Sequence, residues 1–307
     1  MVGRMNIVKK FVLLVLASSI YGLAITAQED KLGTPIMIFD LNGVFFRTHT
    51  RTVLYQIGLK SFVRYFIRHR SINLKERFFS ILNKIADTDG NQYDLKDPDG
   101  KILPELMACW LRGSRSNTNI LNQIYTAIAA HPEWFMSSIE QQVIKKMAGA
   151  IFTPEQFVKS RKFISDLTPL VSALKKRGIT LYILSNWDKE SFELLQNKYS
   201  TFFAQFDRCF ISGNIGYVKP EPELFQYIKS LHDSNFRLCL LDDQIENIIA
   251  AQRVGIDTIL VKPDTSLFSS RIQKKEVFQH CLIFLKKCRG LFYQPDDNNN
   301  KPQANHV

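Results

Sequence analysis

Apolar residues fall in two rhythms along this 307-residue chain, and the change of rhythm divides it. From about Lys162 onward, short apolar runs alternate with amphipathic stretches of helical period. "ITLYILSN" follows a helix ending "LKKRG", "FDRCFISG" follows "KESFELLQNKY", "RLCLLDD" follows "EPELFQYIKSL", and "IDTILV" follows "IENIIAAQRVG". Apolar strands separated by helices predict a parallel sheet covered on both faces. The run Ile36–Phe39 has the same character and belongs with that set. Between them the period is helical: Phe62 and Phe66, then Phe78, Leu82 and Ile85, recur at helix spacing. It resumes from Leu103 to Met147 across breaks at "GSRSN" and Pro132. The expectation is an α/β protein with a doubly wound parallel sheet and an inserted all-helical cap. Its core would comprise residues 28–46 and 166–290, and the cap residues 47–165.

The two ends follow neither rhythm. "MVGRMNIVKK" carries three positive charges, and the next fifteen residues, "FVLLVLASSIYGLAI", carry none. Small residues then precede the polar Gln28, Glu29 and Asp30, a pattern that predicts a signal peptide over 1–27 and export to the periplasm or exterior. The run is shorter than the ~20 residues of a membrane span, which leaves a retained N-terminal anchor as the alternative. Residues 291–307 have no apolar periodicity and read as a disordered tail. Asp87, Asp89 and Asn91 imitate the start of a calcium loop, but Gln92 and Pro98 stand where Gly and Glu are required, so a plain surface loop is expected.

The formal charge is +11 and locally concentrated: nine Lys/Arg and one acid, Glu76, lie between Arg47 and Lys84. A solvated helix face explains such a patch, and attraction to an anionic surface is the other reading. No nucleic-acid motif accompanies it, and Phe62, Tyr65, Phe66, Phe78 and Phe79 are expected in the cap core. The five cysteines form no disulfide framework. Cys281 and Cys288, seven apart on a helix, would be about 10.5 Å apart, beyond the roughly 7 Å that a bridge spans. The six histidines are isolated, and no phosphate loop, GxGxxG or GxSxG occurs, which removes zinc, nucleotide and nucleophile-elbow chemistry from consideration.

Ligands of open α/β sheets bind at the carboxyl ends of the strands. Those ends carry Asp40 and Asn42, then Ser185 and Asn186, then Asp242 and Asp243, with Lys219 in the loop "GYVKPEPELF". Carboxylates so close need a cation, and a hard ion with few protein ligands points to Mg²⁺. Lys219 and Ser185 are suited to holding a phosphate.

The ordered motifs "FDLNGV", "ILSN", "YVKPEPELF" and "LLDDQIEN" resemble those of the haloacid dehalogenase-like hydrolases, whose helical caps are inserted after the first strand. The resemblance implies Asp40 as the nucleophile of an aspartyl-phosphate. Mg²⁺ would be bound by Asp40, the Asn42 carbonyl, Asp243 and Asp242. Ser185, Asn186 and Lys219 would hold phosphate, with Asn247 supporting from behind. Phosphatases of the family usually have Asp two residues after the nucleophile, as general acid and base. Asn42 cannot exchange a proton, at a cost of about 10²–10⁴ in rate. A slow or specialised phosphatase acting on a small phosphorylated metabolite is therefore expected, with a catalytically inactive phosphate- or partner-binding protein as the alternative. A dehalogenase is a minor third reading, which the paired acids Asp242 and Asp243 disfavour. Arg112 and Arg115 could reach from the cap to substrate.

Overall fold

The computed structural model of the protein describes residues 33–69, 73–85, 95–97, 100–262 and 272–288. The expected signal peptide, the calcium-like Asp87, Asp89 and Asn91, and the tail 291–307 lie outside the described residues. Among the described residues no helix is long and apolar enough to cross a membrane.

The strands described are β1 (Thr34–Phe39), β2 (Phe46–Thr48), β3 (Arg161–Phe163), β4 (Thr180–Ser185), β5 (Arg208–Ile211), β6 (Phe236–Asp242) and β7 (Asp257–Leu260). Five of them form one parallel sheet in the order β5-β4-β1-β6-β7. The side chains of β1 alternate between its faces. Ile36 and Ile38 join Tyr182, Leu184, Leu238 and Leu240 beneath helices Pro222–Ser230 and Ile245–Arg253. Met37 and Phe39 join Leu181, Ile183, Cys239 and Leu241 beneath Thr168–Lys176 and Lys274–Lys287. Both faces are covered, which is why these strands are unbroken apolar runs in the sequence. The five cysteines are free thiols, four of them buried.

Phe39 of β1 pairs with Ile183 on one side and Leu241 on the other. Asp40 therefore emerges between the tips of β4 and β6. Its own N–H still donates to Leu241 O at 2.9 Å, so the central strand holds it at the sheet's edge.

The chain leaves and re-enters the core along one antiparallel pair, with Phe46 opposite Phe163 and Thr48 opposite Arg161. Between these strands, helices from Thr50 to Lys159 build a second apolar core around Ile81, Leu106, Trp110, Ile120, Ile144 and Phe152. Arg77 donates to the fully buried Glu140 at 2.7 Å, so part of the basic patch is consumed inside the cap. Tyr65, not Phe66, takes the inward position on helix Leu59–His69. Phe66, expected in the cap core, is exposed because Val143, Ile139 and Met147 of helix Ser138–Phe152 pack on the side that carries Tyr65 and Phe62. Phe62 is half-buried.

Cap and core meet at helix Glu105–Arg112, which ends on Gly113 with φ at 69°. A Cβ at Gly113 would lie 2.0 Å from the Gly213 carbonyl oxygen. Arg112, a candidate for reaching substrate, instead donates to Gly216 O at 3.0 Å and to the Glu221 carboxylate, clamping the cap to the core. Arg115 donates to Gln123 within the cap at 2.7 Å. Gly178 also has positive φ, 72°, but nothing within 4 Å of its Cβ position, so it separates backbone strain from steric contact. In urea unfolding, Gly178→Ala is expected to cost about 1–3 kcal/mol through strain alone. Gly113→Ala should lose a further ~1–3 kcal/mol from overpacking against Gly213. Equal losses would mean that the cap does not press on the core there.

Candidate active site

Position at the sheet edge makes Asp40 buried, and burial demands a counter-charge. Lys219 supplies it from the loop ahead of helix Pro222–Ser230. Its ammonium nitrogen lies 2.9 Å from Asp40 Oδ1 and 2.5 Å from Asp242 Oδ2, with Lys219 only 3% exposed. Desolvation opposes the lysine's charge, but Asp242 and Asp40 outweigh it and hold its pKa above the ordinary value. Desolvation pushes Asp40 up to about 6, with Asp242 adding repulsion and Lys219 holding the rise in check. The Ser185 hydroxyl, at the tip of β4, is close enough to lower the Asp40 pKa, though it forms no hydrogen bond of normal geometry.

Asp243 is the unsatisfied member. Burial first, then repulsion from Asp40 and Asp242, pushes its pKa up to about 7. Its Oδ1 is buried with no hydrogen-bond partner. One carboxylate oxygen from each of Asp40, Asp242 and Asp243 lies within 4.8 Å of the others. A divalent cation is the group that such a donor set fits, since it would relieve the repulsion and fill the empty valence.

The turn after Asp40 makes room for Asp243. Gly43 has φ at 81°, and a Cβ there would sit 1.8 Å from Asp243 Oδ2. Its N–H donates to Phe46 O at 2.7 Å, and the Phe45 and Phe46 N–H groups both donate to Leu41 O at 2.8 Å. Phe46 then anchors the turn against Phe163, Trp187 and Tyr199. Asn42 is half-buried within this turn, two residues from Asp40.

Two of the expected residues are already hydrogen-bonded. Asn186 is turned to the Lys219 backbone. Its amide donates to Lys219 O at 2.7 Å and accepts from Lys219 N at 2.8 Å, so both ends are used to fix the lysine's backbone. Asp242 has its oxygens engaged already: Oδ2 by Lys219, Oδ1 by the Gln244 N–H at 2.9 Å and Asn247 Nδ2 at 3.0 Å. It anchors the lysine while remaining one of the three clustered carboxylates. Asn247 supports from behind, through Asp242. The Gln244 backbone donor and the Gly43–Asp243 approach were missed in the sequence. Only the Gly immediately after "DLN" signalled the second.

A family model described as haloacid dehalogenase-like hydrolase matches residues 35–255. A sesquiterpene phosphatase of Aspergillus oryzae is 32% identical over 91 residues, 29% of this chain and 46% of that protein. Bifunctional epoxide hydrolase 2 of Rattus norvegicus is 29% identical over 115 residues, 36% of this chain and 21% of that one. The chain thus spans less than half the length of these relatives. Among solved structures, a HAD family enzyme from Bacteroides thetaiotaomicron, in complex with magnesium and inorganic phosphate, is 18% identical with a TM-score of 0.48, covering 77% of this chain and 98% of that one. The magnesium-bound HAD-hydrolase YfnB of Bacillus subtilis is likewise 18% identical with a TM-score of 0.48, covering 82% and 99%. The family model spans most of the chain, from the strand before Asp40 to the helix after Asp243, and on that match the chain belongs to the haloacid dehalogenase-like hydrolases.

Proposed function

We propose that the protein is a Mg²⁺-dependent phosphatase that hydrolyses a small phosphomonoester through Asp40. The observation that carries this reading is the buried Asp40–Lys219–Asp242 ion cluster with the unpartnered Asp243 Oδ1 beside it. A sesquiterpene phosphatase among the relatives supports phosphoryl chemistry over other hydrolyses, and makes a terpenyl phosphate worth including among substrates.

Asp40 and Asp243, with the Asn42 carbonyl, would hold the magnesium ion. When bound, it neutralises the clustered carboxylates and offsets charge on the transferring phosphoryl group. The residues do the rest. An Asp40 oxygen attacks phosphorus as the bond to the leaving oxygen breaks, giving an aspartyl-phosphate and an alkoxide that takes a proton from solvent. Water then attacks the phosphorus, the bond to Asp40 breaks, and phosphate and the free carboxylate are regenerated. Lys219, held charged by Asp242, would keep Asp40 ionised between turnovers and donate to the phosphoryl oxygens. Ser185, buried and without a partner of its own, is a ready donor to the same oxygens.

Asn42 supports a second reading, a phosphate-binding protein without turnover, because it cannot protonate a leaving group. The retained nucleophile, lysine and free acid favour the active reading. A loss of about 10²–10⁴ for the missing acid/base still leaves catalysis by the others.

In a Mg²⁺-supplemented phosphatase panel that includes p-nitrophenyl phosphate, Asp40→Asn is expected to lower turnover by ~10⁴ or more. Asn42→Asp should raise kcat by about 10²–10⁴ on substrates with poor leaving groups. Wild-type protein inert on every substrate would favour the binding reading. A separate readout concerns the metal. The raised pKa of Asp243 means that its charge is penalised in the folded state, so stability present near pH 4 is lost as pH rises towards 7. Without metal, Asp243→Asn should gain Tm relative to wild type across that window, by about 2–4 °C for each kcal/mol of repulsion relieved. Mg²⁺ should raise the wild-type Tm more at pH 7.5 than at pH 5, and raise that of Asp243→Asn less. A pH-independent difference, or no response to Mg²⁺, would count against the assignment.

A further inference from the structure

The cap carries a surface that the site does not use. Helix Leu59–His69 buries Tyr65 and leaves four large apolar side chains in solvent: Leu59 at 59%, Val63 at 44%, Phe66 at 43% and Ile67 at 70% exposure. At about 100° of rotation per residue, these four cover an outward sector about 100° wide. Lys60, Arg64 and Arg68, spaced by four, fill the adjoining sector of about 80°. The helix contains no acidic residue. Elsewhere in the cap, Arg77 is paired with Glu140, Lys75 with Asp97 and Lys101 with Glu76. Lys60, Arg64 and Arg68 make no ion pair among the described residues. On the preceding helix, Thr50–Ile57, Tyr55 is 84% exposed and Arg51 is also on the surface.

An ordinary solvated face would pair these charges with polar neighbours, not with an aliphatic and aromatic stripe. We propose that this face of helix Leu59–His69 docks the cap on an anionic lipid bilayer, the apolar stripe entering the headgroup boundary and Lys60, Arg64 and Arg68 meeting lipid phosphates. A row of cations beside an apolar stripe is the arrangement of a helix lying in the plane of a membrane interface. The long Lys and Arg side chains can keep their charges at headgroup level while their stems lie over apolar neighbours. The same composition argues against other occupants. A second copy related by two-fold symmetry would set three cations against three cations. The uncharged run 11–25 of this chain could cover the aliphatic residues but offers no counter-charge to the basic ones.

The test is cosedimentation of the full chain with vesicles of phosphatidylcholine alone or mixed with phosphatidylglycerol. Wild-type protein is expected to partition to the anionic vesicles, less so at high salt. The triple variant Lys60→Gln, Arg64→Gln and Arg68→Gln should bind about 100-fold more weakly, at roughly 1 kcal/mol per cation. Val63→Ser with Ile67→Ser should lose about tenfold or more. Because all five side chains are exposed, thermal unfolding of both variants should match wild type. Absence of wild-type binding would overturn the proposal. So would variants that bind as wild type does, since residues 11–25 or another surface would then carry the interaction. A wild-type oligomer that Val63→Ser with Ile67→Ser turns into a monomer, in the absence of vesicles, would overturn it too.

Discussion

A lysine almost wholly removed from water, held between two aspartates, is the constraint on which the rest of this structure depends. Burying an ammonium group is costly unless charges of the opposite sign lie within contact distance, and removing one partner of such a cluster typically costs about 3–5 kcal/mol. Lys219 therefore ties three parts of the chain together: the end of β1 through Asp40, the end of β6 through Asp242, and its own loop through Asn186 at the end of β4. The parallel sheet sets the register of the tips, and the ion cluster bridges them. The cluster also leaves a surplus. Lys219 touches two of the three carboxylates, and burial with repulsion from the other two keeps Asp243 raised in pKa, its Oδ1 without a hydrogen-bond partner.

Around that surplus the structure spends its irregular backbone. The turn from Leu41 to Phe46 folds back on itself so that Gly43, without a side chain, can lie against Asp243. Phe45 and Phe46 leave the turn directly into the aromatic core, which fixes it from the other side. The cap begins immediately afterwards and meets the core again through Gly113 and Arg112, far away in sequence. Asn42 sits inside this rigid turn and offers an amide where proton transfer would need an acid. The cluster's electrostatics do not depend on that side chain.

Much of this was legible in the sequence, for an identifiable reason. Strands buried on both faces are unbroken apolar runs, so their last residues can be named, and the topology of a parallel sheet brings those ends together. Asp40, Ser185, Asp242 and Asp243 could be grouped on that basis alone. What each does with its atoms could not. Asn186 and Lys219 are 33 residues apart, and no local pattern reports that the amide is fully engaged with that backbone. Asp242 and Asp243 are adjacent and chemically identical, yet one is bonded by Lys219, Gln244 and Asn247 while Oδ1 of the other has no hydrogen-bond partner. The cap shows the same limit. Periodicity identifies helix Leu59–His69, but which of its faces is covered depends on helix Ser138–Phe152, some 70 residues away, and so Tyr65 is buried as expected while Phe66 is exposed.

The central claim is that Asp40 is a nucleophile toward phosphorus, and the covalent intermediate is its most direct test. The full-length protein would be mixed with p-nitrophenyl phosphate and Mg²⁺, quenched in acid within the first turnover, digested, and mapped by mass spectrometry. A phosphoryl adduct on the peptide that contains Asp40, absent from the Asp40→Asn protein, is the result this account predicts. Steady release of phosphate with no adduct at Asp40, or with an adduct on a different residue, would contradict it.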